Sequence, residues 1–174
     1  WKDRLLADYA AAAALPALDL DPLFDRDRAE GPPLAFRRIL VTCHAREVDP
    51  DLRGGRSRDG AGTGGYSYFV PGRPGAEGLA GRLVINAGWS PMPDDDRRIS
   101  LDGLVAGTLG PDEPGRPLVI TSAAAAPGLA PSAPPAVDQI PNNHRFYAFQ
   151  WFFFALAAGV IYWLALRPHR RPQP

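Results

Sequence analysis

The feature that most constrains this chain lies near its C-terminus, where residues 146–166 contain no charged side chain. A helix rises about 1.5 Å per residue, so this stretch can cross the roughly 30 Å hydrocarbon core of a bilayer. Arg167, Arg170 and Arg171 follow it, and short basic flanks remain on the cytoplasmic side of a membrane. The sequence therefore predicts a C-terminal membrane span, with most of the chain on the extracytoplasmic side.

The part of the chain before this span has the size and composition of one compact domain. The chain has 174 residues, of which 45% are hydrophobic, and its 19 basic and 19 acidic residues give a formal net charge of zero. This balance gives no electrostatic support for binding nucleic acid or acidic substrates. Cys43 is the only cysteine, so the fold depends on packing and on its membrane anchor, and not on an internal disulfide.

Short apolar runs separated by glycine and proline predict strands in the middle of the chain. They cover residues 36–45, 66–70, 82–86, 103–109 and 118–122. Because no helical pattern is long enough for parallel crossovers, we predict an antiparallel barrel or sandwich. A short amphipathic helix is expected before Pro16, and the alanine, proline and serine of residues 123–135 predict an extended tether.

The expected fold class is thus an α+β membrane protein, with a small antiparallel β domain tethered by a C-terminal transmembrane helix. The sequence divides into five predicted segments. They are a helix and connector (1–33), the β domain (34–122), the tether (123–140), the transmembrane helix with a polar entry (141–167) and a basic cytoplasmic tail (168–174).

Two loop motifs resemble binding sites but suit structural roles better. Residues 60–65 have the glycine spacing of a dinucleotide-binding loop, yet a strand-like run follows where that motif requires a helix. A hairpin loop is therefore the favoured interpretation. The three aspartates at 94–96 are suitable ligands for a hard cation, but Arg97 and Arg98 follow directly. Neutralisation by these arginines predicts a solvated loop.

Cys43 and His44 together suggest copper, because thiolate and imidazole are suitable ligands. Adjacent residues of a strand point to opposite faces, however, which argues against a shared ion. We therefore predict a core cysteine beside a surface or cross-strand histidine. The other histidines, His144 and His169, lie near the span entry and in the tail. No catalytic constellation results, so we expect no enzyme activity.

The predicted span has two different faces when its residues are placed 100° apart. One face carries Tyr147 and Trp151 with a strip of small residues that includes Gly159, which lets another helix or a flat ligand approach closely. The other face is bulky and includes Phe149, Phe152 and Phe153. Simple anchoring remains an alternative, because small residues are common in membrane helices.

His144 is the main candidate site residue, because it stands where the chain enters the span. The positive end of the helix dipole disfavours protonation of its imidazole and leaves a nitrogen available to a metal. Asn142 or Asn143 can cap the first turn, and Arg145 with the exposed N–H groups can hold carboxylates. A haem with its iron on His144 suits this arrangement. The alternative is an interfacial histidine that hydrogen-bonds to the domain above.

The entry to the span also carries a family resemblance. Residues 141–152 read Pro-Asn-Asn-His-Arg-Phe-Tyr-Ala-Phe-Gln-Trp-Phe and resemble a signature of the Surfeit-locus family of cytochrome c oxidase assembly factors. Three further motifs resemble that family in the same order, namely those at residues 36–41, 65–71 and 84–91. The chain departs from the family pattern at Ala87, where arginine is usual, and at Cys43 and His44, which replace a glycine-bearing stretch.

The resemblance implies a factor that assists delivery or insertion of haem A into the catalytic subunit of haem-copper cytochrome c oxidase. It points to His144 as the candidate axial ligand and to Tyr147 and Trp151 as groove or stacking residues. Arg145 as a contact to a haem propionate is a physical inference. The expected partners are the catalytic subunit, haem A synthase and membrane lipid.

The resemblance also implies a location in a bacterial inner membrane, with the bulk of the chain on the periplasmic side. Family members have two spans, the first ending just before a Trp-Lys pair such as Trp1-Lys2, so a preceding transmembrane helix is expected. Trp1 would then lie at the membrane interface, where tryptophan is common.

Two alternative functions stay open. One is a haem-free membrane scaffold or stoichiometric accessory subunit of the oxidase, in which replacement of His144 spares function if packing survives. The other is an enzyme that modifies haem or lipid at the membrane surface. The second is disfavoured because the sequence shows no set of acid, base and nucleophile.

Overall fold

A computed structural model describes residues 2–24, 34–59, 64–111, 116–136 and 144–166, without the side chains of Lys2, Asp3, Leu79, His144 and Arg145. The chain divides into two compact units, Trp1–Gln139 and Ile140–Pro174. The first contains α1 (Lys2–Ala14), β1 (Leu18–Asp19), a 3-10 helix (Asp21–Leu23), β2 (Arg38–Val48), β3 (Asp51–Gly55), β4 (Gly65–Pro71), α2 (Gly78–Gly81), β5 (Leu83–Ser90), β6 (Ile99–Leu109) and β7 (Leu118–Ser122). The second contains α3 (His144–Leu166).

The strands form one seven-stranded sheet in the order β1-β2-β6-β7-β5-β4-β3. Four strand pairs are antiparallel, but β1 pairs with β2 and β5 pairs with β7 in parallel. The prediction of a purely antiparallel sheet is therefore wrong. That prediction assumed that a parallel pair needs a helical crossover. Here a strand makes the crossover, because the chain leaves β5, forms β6 two places away and returns through β7 into the space between them.

Local sequence patterns explain why most of these elements form where they do. Five predicted runs coincide with β2, β4, β5, β6 and β7, and α1 ends before Pro16. Two strands were not predicted. β1 has only two residues, and β3 has the sequence Asp-Leu-Arg-Gly-Gly, which lacks the β-branched and aromatic residues typical of strands.

The core lies on the inner face of the curled sheet. Alternating residues of β2, such as Val41 and Cys43, are fully buried, as are Ile85 of β5 and Ile120 of β7. Burial of a large aliphatic side chain stabilises a fold by about 1.5–3 kcal/mol. The N–H of His44 donates to the carbonyl of Gly72 at 2.8 Å, which joins β2 to the chain just beyond β4. The sheet therefore closes partly round its core.

Residues 126–132, which we call the strap, pack against the β unit. The strap lies within the segment predicted as an extended tether. Its backbone exchanges two hydrogen bonds with Trp89 through Ala130, at 2.7 and 2.9 Å, and Ala126 donates to Ala87 at 2.7 Å. Ser132 is 2% exposed. Composition alone did not predict this packing, because the strap's partners lie far away in sequence.

Candidate functional site

α3 carries the predicted site and has the length and composition of a membrane span. Residues Phe146–Leu166 have a mean hydropathy of 1.8, and this is the one helix of the described residues that could cross a membrane. Its large apolar side chains are exposed; Phe149 and Phe152, for example, are 71% and 78% exposed. Exposure of such surface to water is unfavourable by about 25 cal/mol per Å². α3 therefore requires lipid or another apolar surface around it.

The backbone of α3 places the four proposed site residues within its first two turns. His144 and Arg145 are the first two residues of the helix, but their side chains lie outside the described part of the structure. Tyr147 and Trp151 are four residues apart and so lie on the same face. Their side chains are 55% and 70% exposed. The predicted roles of Asn142 and Asn143 in capping lie outside the described residues.

Phe154 is a neighbour of Trp151 that sequence reasoning missed. The two rings meet edge to face, with centroids 6.2 Å apart and planes at 80°. Phe153 also approaches Phe154, at a centroid distance of 6.4 Å. Such pairs contribute about 0.5–1.5 kcal/mol beyond area burial. Phe154 therefore lies beside the indole of Trp151, and the spacing of three residues along a helix was the signal that could have revealed this contact.

The strip of small residues on α3 is open at Gly159. A Cβ atom added to this glycine would meet no atom within 4 Å. Small residues leave a shallow surface that a flat ligand or a second helix can approach closely. The face that carries Tyr147 and Trp151 therefore has room for a planar partner along α3.

Cys43 and His44 lie on opposite faces of β2, as predicted. Cys43 is fully buried, and this burial raises the pKa of its thiol to about 11. The side chain of His44 is 62% exposed, and its Nδ1 lies 3.6 Å from Oδ1 of Asp102 on β6. A hydrogen bond from Arg46 holds the pKa of Asp102 below its usual value. The pair is thus a core cysteine and a cross-strand histidine.

The other motifs suggestive of ligand binding also take structural forms. Nε of Arg97 donates to Asp94 at 3.1 Å, which confirms the predicted neutralisation for this pair, whereas Arg98 pairs with Asp49, outside the run of three aspartates. Gly65 begins β4 and not a helix, and β4 pairs antiparallel with β3, whereas residues 60–63 of the glycine-rich loop lie outside the described residues. Among the described residues, no group of three histidine, cysteine, aspartate or glutamate side chains could hold a metal ion.

Comparison with protein-family models gives a match that covers all of the first unit and roughly the first half of the second. Residues 1–156 match the model described as the SURF1 family. The chain belongs to the SURF1 family. This family is associated with cytochrome oxidase assembly. Searches of curated proteins and of solved structures gave no significant match.

The SURF1 match includes motifs of two kinds. The two at residues 65–71 and 84–91 pack against each other, because the indole N–H of Trp89 donates to the carbonyl of Gly55 at 3.2 Å and its ring lies against Gly65. A Cβ atom at Gly65 would come within 2.5 Å of that ring, so the close approach requires glycine. The motif that opens α3, in contrast, presents exposed aromatic side chains. The α3 motif is therefore the better candidate for ligand binding.

Proposed function

We propose that this SURF1-family protein assists maturation of haem-copper cytochrome oxidase by holding haem A at the start of α3 and passing it to the catalytic subunit. One observation carries the proposal: a histidine opens an apolar helix whose first two turns present exposed Tyr147 and Trp151. The family's association with oxidase assembly supports the same conclusion.

The residues at the start of α3 have chemistry suited to haem A as a cargo. Haem offers an iron that accepts an imidazole nitrogen, a flat apolar ring system and two carboxylates. His144 supplies the imidazole, Tyr147 and Trp151 supply aromatic surface, and Arg145 supplies a cation for a carboxylate. A single protein ligand and an open face suit a carrier, because the cargo must also leave. The protein acts by binding and transfer, without catalysing a reaction.

This function places the protein in a bacterial inner membrane, with the β unit on the periplasmic side. The apolar length of α3 supports the membrane location. The basic residues Arg167, Arg170 and Arg171 favour a cytoplasmic C-terminus. The partners in this proposal are the oxidase catalytic subunit, haem A synthase and the lipid around α3.

The visible absorption spectrum tests the proposal on protein purified from cells that make haem A. We expect a haem A band in the wild type that is lost in a folded His144→Ala variant. His44→Ala is the matched control, because it removes an exposed histidine of the β unit, and it should keep the band. Tyr147→Ala and Trp151→Ala should weaken the band without removing it.

The other outcomes of this experiment reject defined parts of the proposal. Equal bands in the wild type and in His144→Ala would retain haem binding but reject His144 as the iron ligand. No band in the wild type would reject the carrier and favour a haem-free scaffold or an accessory subunit of the oxidase.

A further inference from the structure

β6 has a free edge at the point where it separates from β7. The two strands pair at residues 107–109 of β6, and the N–H of Ala123 then donates to the carbonyl of Ala106 at 2.8 Å. Beyond this bond the chain turns towards β5, where the N–H of Ala126 finds its acceptor. Residues 99–105 of β6 pair with β2 on one side, but no described strand lies beside them on the other.

The backbone groups of Leu104 and Asp102 point into the resulting gap. In an antiparallel sheet the N–H and C=O of one residue point to the same side, and this side alternates along the strand. Thr42 and His44, which lie opposite Leu104 and Asp102 on β2, donate their N–H groups to acceptors away from β6. Neither pair is therefore joined by mutual hydrogen bonds, and the backbones of Leu104 and Asp102 point away from β2. No described residue bonds to these backbone groups.

The gap forms a slot, by which we mean the cavity of about 390 Å³ that β6 residues between positions 100 and 106 line on one side and residues 122–127 line on the other. Leu104 is 69% exposed on the outer face of the sheet. Gly103 lies opposite the buried Cys43 and so belongs to the inner face. A Cβ atom added to Gly103 would meet no atom within 4 Å. The slot is therefore open and has room for a side chain beside this glycine.

An extended polypeptide segment is the class of ligand that matches the slot. The backbones of Leu104 and Asp102 each offer one donor and one acceptor, about 6.7 Å apart along the strand. A second strand carries complementary groups at the same spacing, which is the basis of strand addition to a sheet edge. A lipid tail or a small ion lacks this repeat. Because residues 122–127 form the far wall, the slot suits a single chain and not the sheet edge of a second copy.

We propose that the slot binds an extended segment of a partner polypeptide, which runs antiparallel to β6 in the place where β7 would continue. The backbone of the segment pairs with Leu104 and Asp102. One apolar side chain of the segment lies beside Leu104 on the outer face, and another lies opposite Gly103 on the inner face. This contact belongs to the β unit and uses none of the residues proposed to hold haem A, so it does not rest on the proposed function.

Fluorescence anisotropy of a labelled peptide, Ac-Leu-Val-Thr-Val-Thr-amide, tests the slot on the 174-residue chain in nanodiscs. In the proposed register its leucine lies opposite Leu104, its first valine opposite Gly103 and its central threonine opposite Asp102. N-methylation of the leucine and the central threonine removes N–H groups that face β6, and it should weaken binding by about fivefold or more. The matched peptide carries the same two methyl groups on its valines, whose N–H groups point away from β6, and should bind more tightly than the first methylated peptide.

Variants of the protein test the same backbone contact from the other side. Leu104→Pro removes a donor of the slot and breaks no hydrogen bond to β2, because this N–H points away from that strand. It should weaken binding of the unmethylated peptide by about fivefold or more. Leu104→Ala is the matched control, because it keeps the N–H, and it should bind more tightly than Leu104→Pro. If the proline variant does not fold, Ala124→Tyr fills the slot from an exposed position on the far wall and should also block binding.

The remaining outcomes are also decisive. No binding to the wild type, equal losses for the two methylated peptides, or unchanged binding in a folded slot variant would overturn the proposal. Self-association of the protein that the peptide displaces would overturn it in favour of a second copy. Leu104→Pro should keep the haem A band while losing the peptide, and loss of both in a folded variant would reject a slot that acts separately from α3. A wild type that binds the peptide without a haem A band would reject the proposed function and support the slot alone.

Discussion

Two neighbouring residues of β2 show that the face of the sheet on which a side chain lies determines its chemistry. Cys43 faces the core, where burial opposes formation of its thiolate, while His44 faces solvent beside Asp102. Arg73 partly offsets the effect of burial on Cys43, and Asp21 adds to it. The sole cysteine is therefore a packing residue, and its thiol is expected to be unreactive.

This gives a direct prediction for Cys43. A pKa raised from 9.0 to about 11 lowers the thiolate fraction near pH 8 about a hundredfold, and the thiolate is the reactive form. We expect alkylation by iodoacetamide to be slower in the folded protein by at least that factor, as followed by mass spectrometry. The same protein in concentrated urea is the control and should react quickly. Comparable rates in the two states would contradict the burial of the thiol.

The alternation of a strand was sufficient to predict the opposite faces of Cys43 and His44, because it depends only on local geometry. The same reasoning could not give the environment of Asn86. Its hydrogen-bond partner Ser132 lies 46 positions later, in a segment whose composition predicts a tether. Local patterns therefore identified the motif at residues 84–91, but the hydrogen bonds of Asn86 within it depend on long-range packing.

The 3-10 helix is short, but its Asp21 makes contacts that help to hold the β unit together. Asp21 accepts the N–H of Thr42 at 3.0 Å and pairs with Arg73 at 2.6 Å. Arg73 also donates to the carbonyl of Thr42 at 3.0 Å, and its guanidinium lies 4.4 Å from the centre of the Phe24 ring. These contacts supply hydrogen-bond partners to backbone groups on the part of the β2 edge that no long strand covers.

We therefore expect Arg73→Ala to destabilise the β unit by about 1.5–3 kcal/mol, because it removes charge-assisted hydrogen bonds from partly buried Asp21 and Thr42. Urea unfolding measures this change. The matched control is Arg46→Ala, which breaks a pair with Asp102 from a 76% exposed side chain and should lower the stability of the β unit much less than Arg73→Ala does. Equal midpoints for the two variants would show that the network does not stabilise the fold.

β7 shows which part of the sheet could be predicted from sequence. Its bounds match the predicted strand, and four of its five residues are buried, as in a central strand covered on both faces. A short run rich in β-branched and apolar residues can therefore indicate a central strand. The parallel pairing with β5 depends on where β6 lies, and strand order is not encoded in periodicity.

In the whole molecule, the core and the apolar helix belong to different units. Every residue of the main hydrophobic cluster lies between Leu20 and Ala126, within the first unit, and the described residues of α3 contribute none of them. Folding of the β unit should therefore be independent of α3. Attachment of this chain to a membrane, in contrast, should depend on the apolar surface of α3.

A chain of residues 1–139 tests this separation. We expect it to unfold in urea with the same midpoint as the β unit of the 174-residue chain, and to remain in the supernatant when membranes are pelleted. The 174-residue chain should pellet, because Phe146–Leu166 partitions into lipid. Leu156→Arg in that chain is the matched control without truncation, since a charge at the centre of a span opposes insertion by about 2.5–3.5 kcal/mol. It should shift protein from the pellet to the supernatant. An unfolded fragment, or a fragment that pellets with membranes, would show that the two units depend on each other.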